Sequence, residues 1–490
     1  MSELSGYDIA KIASFLRDPI DILRARSINR KWRFAISEPL IAGKPVRELI
    51  TRAPCKILKY ACRSGSLWLA NYALKHGARD VDTGLYEACA NNHVGLAALM
   101  IENKADVIEE GMNVACYHNN TEVVNFLLAL GGDVNQGLLG ACRGGHRALV
   151  DLMLANKSNA FNTAIHYACE NGNREIIDLI FACGATNINY AAVGATRGGH
   201  LDLLREMVAK GARDLGQALY FASFAGNFKI TEYILEQPDI ANDAIDDAID
   251  IAARKENLAM VNLLLRYYAG NINEHLITAC FRRQREFASI LIERGANNLN
   301  EILASTCAAG DMDRMLFVIE LGANNLDIAL NSACEAGAID IVKFIISRGP
   351  VDLDSALYIA CCRNHYAIAN LLIARGAKDF SRGFEGAVRK NNIELVKLMM
   401  YHGAREFEPA FIRACVAGHT ELANLMICAG AKNINDGFLA ACSRGRFELV
   451  KLLARNHECD ISRGLMRAIV YKKNSRVVNF LISLGAQSYA

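Results

Sequence analysis

The chain has 490 residues, 52% of them hydrophobic, and its 54 basic and 52 acidic residues leave a formal net charge of +2. This balance gives no electrostatic reason to expect nucleic acid or an anionic membrane as the main partner. The sequence has no uninterrupted apolar stretch of about 18 residues, and its first residues do not have the pattern of a targeting signal. We therefore expect neither a membrane span nor a targeting segment.

The first forty residues do not follow the pattern of the rest of the chain and predict three short helices. The first covers about residues 6–16, a break follows at Asp18–Pro19, and the others cover about residues 20–27 and 30–37. Their apolar residues are too many for so short a segment to bury alone. An apolar surface of this kind predicts a partner.

The core of this segment, SFLRDPIDILRARSINRKW, resembles an F-box over residues 4–41. The resemblance implies docking to the Skp-type linker protein of a cullin-RING ubiquitin ligase. The docking surface would consist of seven apolar residues: Leu4, Ile9, Ile12, Leu16, Leu23, Ile28 and Trp32. We assign residues 1–41 to an F-box-like helical segment and residues 42–54 to a linker or cap. The alternative is that the segment only caps the structure that follows.

From residue 55 to residue 490 the chain is periodic, and its cysteines show the period most clearly. Eleven of the sixteen cysteines recur at this period: Cys62, Cys89, Cys116, Cys142, Cys169, Cys280, Cys307, Cys334, Cys361, Cys415 and Cys442. Five other residues complete this series of anchors: Thr196, Ser223, Ala253, Val388 and Ile469. Thirteen of the fifteen intervals are 27 residues, one is 26 and one is 30. The sequence therefore predicts about sixteen repeats of 27 residues.

Each repeat predicts two short helices. An apolar residue four positions before the anchor and a small residue directly before it form one buried stripe, as Leu138 and Ala141 do before Cys142. A polar break follows, and a second helix carries apolar residues 7, 8, 11 and 12 positions after the anchor. In ten repeats a glycine stands 15 positions after the anchor, which suits a left-handed residue at the end of a helix.

This order of residues resembles the ankyrin repeat, whose usual unit has about 33 residues, including a hairpin loop and a Thr-Pro-Leu-His turn. The repeats here are shorter and lack that turn, so we expect tight loops, few or no β-strands, and binding on the concave face of the first helices. One helical pair cannot bury enough surface alone, so the repeats must stack. The expected fold is all-α: an ankyrin-like helical-hairpin solenoid of about sixteen repeats after a small three-helix F-box-like segment.

The cysteines and histidines predict packing and turn roles rather than chemistry. Thr, Ser, Ala, Val and Ile replace cysteine at other anchors, so we interpret the anchor as a small buried residue and not as a metal ligand or disulfide partner. Asn replaces His four positions after the anchor, so we expect the histidine of pairs such as Cys142/His146 to bond the backbone at the turn. We expect no catalytic residues, cofactor or metal. Free thiols in this number favour a reducing compartment.

Aromatic and basic residues late in several first helices are candidates for a surface that binds an acidic partner. These residues are Phe224, Arg254, Lys255, Phe281, Arg282, Arg389 and Lys390. The alternative is solvated charge beside ordinary packing.

Two irregularities also stand out. The 30-residue interval near Pro238 predicts a longer loop, and Trp68, at a position that is usually polar, predicts a segment that covers it.

Together these observations predict a protein-interaction molecule without enzymatic activity. The first hypothesis is a substrate-recruiting adaptor, in which the F-box-like segment holds the ligase and the repeats hold an unknown target protein. F-box segments joined to long arrays of short ankyrin units resemble proteins of large DNA viruses, which implies a target in the host cytoplasm, with the nucleus left open. The second hypothesis is a scaffold or sequestering protein without a ligase. We expect a monomer in either case.

Overall fold

The computed structural model describes residues 53–238, 240–471 and 475–486. The F-box-like segment and residues 42–52 of the predicted linker lie outside this part of the chain. The described residues form 32 α-helices and no β-strand, and the helices alternate as first and second members of sixteen hairpins. The prediction of an all-α array of about sixteen hairpins without strands is confirmed for these residues.

The chain divides after Gly270 into two compact units, each with eight of the described hairpins. The helices of the first unit are α1 Pro54–Ser64, α2 Leu67–Lys75, α3 Val81–Ala90, α4 Val94–Glu102, α5 Ile108–Tyr117, α6 Thr121–Ala129, α7 Val134–Gly144, α8 Arg147–Ala155, α9 Phe161–Asn171, α10 Arg174–Ala182, α11 Ile188–Arg197, α12 Leu201–Ala209, α13 Gly216–Ala225, α14 Phe228–Leu235, α15 Asn242–Arg254 and α16 Leu258–Leu264.

The second unit begins at Asn271. Its helices are α17 Ile272–Arg282, α18 Arg285–Glu293, α19 Leu299–Ala308, α20 Met312–Glu320, α21 Leu326–Ala336, α22 Ile339–Arg348, α23 Leu353–Arg363, α24 Tyr366–Ala374, α25 Phe380–Arg389, α26 Ile393–Tyr401, α27 Phe407–Ala417, α28 Thr420–Ala429, α29 Ile434–Ser443, α30 Phe447–Asn456, α31 Ile461–Val470 and α32 Ser475–Ser483.

The hairpin α7–α8 shows how the repeat sequence makes this structure. Leu138, Ala141 and Cys142 lie on one side of α7 and are fully buried, as the spacing of three and four residues requires. Gly145 then takes a left-handed conformation with a φ of 75°, which ends the helix and reverses the chain. In α8 the apolar residues 7, 8 and 11 positions after the anchor are buried, and Leu154, 12 positions after it, is half-buried.

The glycine 15 positions after the anchor is left-handed in nine of the ten repeats that have it. These nine are Gly77, Gly131, Gly184, Gly211, Gly295, Gly322, Gly376, Gly403 and Gly430. The prediction is wrong for Gly349, whose φ of 165° is extended backbone. Pro350 follows it directly, and the residue before a proline is pushed towards extended conformations.

The 30-residue interval lengthens a helix, so the prediction of a longer loop is wrong. Helix α15 has 13 residues, whereas α13 and α17 on either side of it in the sequence have 10 and 11. It begins 11 residues before its anchor, Ala253, while α17 begins 8 residues before Cys280. Three residues are close to one turn of 3.6 residues, so the insertion extends α15 by about a turn at its start.

A polar side chain at the start of a first helix accepts hydrogen bonds from the loop of the next repeat. Asn300 Oδ1 accepts the N–H groups of Asn324 and Asn325, both at 3.0 Å. We call this residue, seven positions before the anchor, the loop acceptor. Nine further repeats of the described chain have one in the same place: Asp82, Asn135, Asn162, Asn189, Asn273, Asp327, Asp354, Glu408 and Asn435. These bonds join successive loops that carry no β-hairpin.

The residue four positions after the anchor bonds backbone in several repeats, and among the histidines of the predicted Cys-His pairs His146 and His365 do so. His146 Nε2 lies 2.9 Å from the carbonyl oxygen of Tyr117, in the preceding repeat. Two more histidines make the equivalent contact, His200 with Glu170 and His365 with Glu335. Asparagine instead accepts an N–H at the start of its own second helix, as at Asn173, Asn227, Asn257 and Asn392. These histidines link repeats, and these four asparagines cap a helix. Asn120 has no cap bond and links repeats instead, because its Nδ2 donates to the Cys89 carbonyl oxygen at 2.7 Å.

Trp68 lies in α2 with 46% of its surface exposed. Its ring stacks on Tyr72 at 5.5 Å between centroids, and Tyr72 stacks on His76 at 4.1 Å. The cover predicted for Trp68 is the N-terminal segment, which lies outside the described residues, so that interpretation stays a prediction.

Candidate interaction surface

The exposed side of the first helices is the candidate surface for binding a partner. Its residues stand six, three or two positions before the anchor and one position after it. We call it the first-helix face. Large hydrophobic side chains at these positions are exposed, among them Tyr86, Tyr117, Phe224, Ile277, Phe281 and Ile328. Exposed aromatic and aliphatic groups in a repeated array are typical of surfaces that bind other proteins.

The structure places three of the predicted target-binding residues on neighbouring helices of the first unit. Phe224, on α13, is 47% exposed, and the Lys255 ammonium lies 4.0 Å from the centre of its ring. Arg254, at the end of α15, pairs with Asp250 one turn earlier. Phe224 and Lys255 therefore form one cation–π patch, while the charge of Arg254 is balanced within its own helix.

The other four predicted residues lie in the second unit and do not form one patch. The Arg314 guanidinium lies 4.7 Å over the ring of Phe281, which is 44% exposed, and Arg314 Nε donates to the Phe281 carbonyl at 3.2 Å. Arg282 is exposed beside it. Arg389 and Lys390 belong to a separate cleft at the ends of α23 and α25.

This second-unit cleft has a volume of about 450 Å³ and is mainly basic. Arg389 Nη1 donates to the hydroxyl of Tyr358 at 2.9 Å. Arg363, which also lines the cleft, pairs with Glu335 on its rim. Three cations and one carboxylate give this cleft a net positive charge.

A row of aromatic and arginine side chains on the first unit was not predicted. The Arg143 guanidinium lies 5.6 Å from the ring centre of Tyr117 and 5.8 Å from that of Tyr167, so it bridges α5 and α9. Arg197 lies 5.0 Å over Phe221. These residues stand two positions before or one position after the anchor. The recurrence of aromatic and arginine residues at these positions is the sequence pattern from which the row could have been predicted.

A cleft on the first-helix face of the first unit has a volume of about 740 Å³ and lies between α11, α13 and α15. Its walls include Tyr190 and Arg197 of α11, Tyr220 of α13, and Asp243 and Asp247 of α15. We call it the α11–α15 cleft. It lies beside the extra turn of α15, so the irregular repeat contributes directly to this surface.

One end of the α11–α15 cleft is organised by a buried histidine. His166 is 2% exposed, its ring stacks on Tyr190 at 4.2 Å, and its Nδ1 lies 3.0 Å from the Tyr190 carbonyl oxygen. Burial lowers the pKa of His166, so the imidazole is neutral at pH 7. Glu170 Oε1 lies 3.6 Å from Arg197 Nη2, so the charge of Arg197 is balanced at this end.

The anchor cysteines are packing residues, which confirms that interpretation. All sixteen cysteines are free thiols, and the eleven at anchors are buried. Burial raises the pKa of ten anchor thiols to about 12 and that of Cys280 to about 11. These thiols therefore stay protonated and unreactive at neutral pH.

Two kinds of feature are absent from the described residues. None of their helices is long and apolar enough to span a bilayer. They also contain no group of three or more His, Cys, Asp or Glu side chains placed to hold a metal ion.

Comparison with known proteins matches part of the chain to one family model and to solved structures. Residues 112–192 match the family model described as ankyrin repeats in three copies. The crystal structure of the human ASB11 ankyrin repeat domain is 21% identical and matches 37% of this chain and 99% of that one, with a TM-score of 0.26. No curated protein sequence matches the chain significantly. Residues 112–192 therefore match ankyrin repeats, and the other described repeats have the same arrangement of two helices.

Proposed function

We propose that this chain is a substrate-recruiting adaptor of a Skp/cullin/F-box ubiquitin ligase. Binding to the ligase is supported by the sequence of residues 1–41, whose apolar residues have the spacing of an F-box. Binding to the target is supported by the first-helix face. Aromatic and charged side chains are exposed there, although every anchor beneath is a small or apolar residue. In this proposal residues 42–54 are the linker and residues 55–490 the repeat array.

The adaptor carries out no bond chemistry in this proposal. The F-box-like segment binds the Skp-type linker through Leu16, Trp32 and the other apolar residues of its surface. The repeats hold the target at the same time, which raises its local concentration near the ubiquitin carrier. We place this activity in the cytoplasm, and in the host cytoplasm if the chain is viral.

Two patches are proposed to hold the target. Phe224 and Lys255 form the patch of the first unit. Arg389 and Lys390, in the basic cleft of the second unit, bind acidic side chains. Phe281, Arg254 and Arg282 contribute further exposed contacts.

A pull-down of purified full-length protein with the Skp-type linker tests the ligase end. We expect the intact protein to bind and the double variant Leu16→Ala/Trp32→Ala to lose binding with an unchanged circular dichroism spectrum. The matched control is Phe224→Ala/Lys255→Ala, which removes two side chains from the repeats and leaves the ligase end intact. If the intact protein does not bind, residues 1–41 are a cap and the chain is a scaffold or sequestering protein.

The same control variant tests the target end. Proteins ubiquitinated in cells that express the intact chain are compared with those in cells that express Phe224→Ala/Lys255→Ala. We expect the variant to keep the ligase and lose modification of the target. An unchanged set of modified proteins would remove the Phe224–Lys255 patch from the proposal.

A further inference from the structure

The α11–α15 cleft lies where the repeat pattern breaks in two ways at once. The loop acceptor position of α13 is Gly216, which has no side chain to hold the next loop. The next first helix, α15, has the extra turn at its start. Gly216 and Ala244 face each other across this junction, and a Cβ at Gly216 would lie 3.3 Å from that of Ala244. The two small residues keep the cleft open beside the added turn.

Aromatic side chains provide the other walls of the cleft. Tyr190 is held against the buried His166, and Tyr220 and Phe221 come from α13. Arg197 covers the Phe221 ring on the side of α11. A flat or elongated side chain of a partner can therefore lie against aromatic surface that neighbouring repeats already hold in place.

The unbalanced charge of the cleft is negative. Arg197 is balanced by Glu170, and His166 is neutral because it is buried. Asp243 and Asp247 are exposed and make no ion pair with any described residue. They stand four residues apart on α15 and so lie on one side of it, about 5–6 Å apart at their Cβ atoms. One cation can contact both carboxylates.

We propose that the α11–α15 cleft binds an arginine side chain of the target protein, with the guanidinium between Asp243 and Asp247 and its plane against the tyrosine rings. Arginine fits better than lysine, since its planar group both stacks on aromatic rings and donates to two carboxylates. The inference rests on the proposed function, because it identifies a side chain of the protein that the repeats recruit.

Selection from a phage-displayed library of random 12-residue peptides on the full-length protein tests this assignment. We expect arginine to be enriched at one position of the selected peptides. A selected peptide should bind about tenfold more weakly to Asp243→Asn/Asp247→Asn, and about tenfold more weakly when its arginine is replaced by alanine. Ala244→Phe, which fills the cleft and keeps both carboxylates, should weaken binding to a similar extent.

The matched control is Asp178→Asn/Asp202→Asn, which removes the same charge from the second helices α10 and α12. It should bind the selected peptide as tightly as the unmodified protein. The assignment is overturned if no peptide is enriched, if the enriched peptides have no preferred arginine, or if binding survives Asp243→Asn/Asp247→Asn. The Skp-type linker should bind all of these variants equally, so failure here and failure of the ligase proposal are distinguished.

Discussion

Glycines allow first helices of neighbouring repeats to approach backbone to backbone. A Cβ at Gly140 of α7 would lie 2.0 Å from the carbonyl oxygen of Asn113, and one at Gly194 of α11 would lie 2.1 Å from that of His166. Neither glycine has a positive φ. Glycine is needed at these positions because there is no room for a Cβ atom, and not because the backbone has a left-handed conformation.

Gly140→Ala should destabilise the first unit. The added methyl group meets a carbonyl of α5 that cannot turn away, so the two helices must separate, at a cost of about 1–3 kcal/mol. A lower urea midpoint of the full-length protein, followed by circular dichroism, would show this. Gly95→Ala in α4 is the control: its Cβ meets nothing within 4 Å, so the change should be neutral or stabilising by up to about 1 kcal/mol. Equal effects would contradict the close-contact explanation.

The buried thiols predict selective alkylation. With iodoacetamide at pH 8, the exposed Cys428 should be modified, while the eleven anchor cysteines stay unmodified because they remain thiols. Peptide mass spectrometry measures each site, and the same reaction in urea should modify all sixteen. Labelling of anchor cysteines as fast as Cys428 in the folded protein would contradict the burial described here.

The same thiols predict a loss of stability at alkaline pH. An unfolded thiol ionises near its ordinary pKa of 9.0, whereas the buried ones have pKa values of about 12. The stabilisation is complete below pH 9 and falls as the pH rises above it, because the unfolded chain releases protons that the folded chain keeps. The urea midpoint should therefore fall between pH 8 and pH 10. It should fall less in Cys116→Ser/Cys142→Ser; an identical slope would assign the effect to other groups.

The roles of single residues differed in how well they could be predicted from the sequence. The burial of Cys142 was predictable because the substitutions at equivalent anchors share only small size. The need for glycine at Gly140 was not, since it depends on the distance between two helices that the sequence does not contain. The conformation of Gly349 could have been predicted from Pro350, its immediate neighbour.

Between elements, the loop acceptors explain how short repeats keep their register. The usual ankyrin unit joins its neighbours through a hairpin loop, and the described repeats have no strand there. Asn300 and its equivalents accept loop N–H groups instead, so these amides do not lack partners. The recurrence of Asn and Asp seven positions before the anchor was visible in the sequence, but its role depends on the contact with the next repeat.

Asn300→Ala should weaken the junction between the hairpins α19–α20 and α21–α22. It removes the acceptor of two N–H groups, which we expect to cost about 1–2 kcal/mol. Hydrogen exchange at the amides of Asn324 and Asn325 should speed up. Asn300→Asp is the control, since aspartate serves as loop acceptor elsewhere, and it should keep exchange slow. If alanine leaves these amides protected, the loop is held by other contacts.

Helix boundaries were the least predictable feature at this scale. The three extra residues before Ala253 adjoin Pro238, and their composition suggested a loop. They add a turn to α15 because three residues nearly complete one helical turn, which leaves the buried face of α15 in register. This geometric compatibility depends on how α15 packs against α13 and could not be predicted from composition.

At the scale of the whole molecule, each hairpin contacts mainly its neighbours within its unit, so disturbances should stay local. Hydrogen exchange of full-length Gly140→Ala, measured by mass spectrometry, should be faster in α5–α8 and adjacent hairpins. Residues 271–486 should exchange as in the unmodified protein. A uniform increase over both units would mean that the array unfolds as a single cooperative body.

The interaction surface was only partly predictable at this scale. Phe224 and Lys255 could be paired from the sequence. Phe224 stands one position after its anchor, and Lys255 stands two positions after the next anchor, so both lie at the ends of consecutive first helices. The α11–α15 cleft could not, since it arises where Gly216 removes an acceptor and α15 gains a turn. Such a cleft comes from a departure from periodicity, whereas the fold was predictable from periodicity itself.

The absence of β-hairpins from the described repeats also affects how much chain the array needs and how it is exposed to proteases. With ordinary units of about 33 residues, sixteen first helices would require roughly 100 more residues, most of them in protruding loops. Loops of that kind are preferred sites of proteolytic cleavage. Here the short connections have their amides held by residues such as Asn300, so a gene of modest length encodes a long row of partner-facing helices with few cleavable tips.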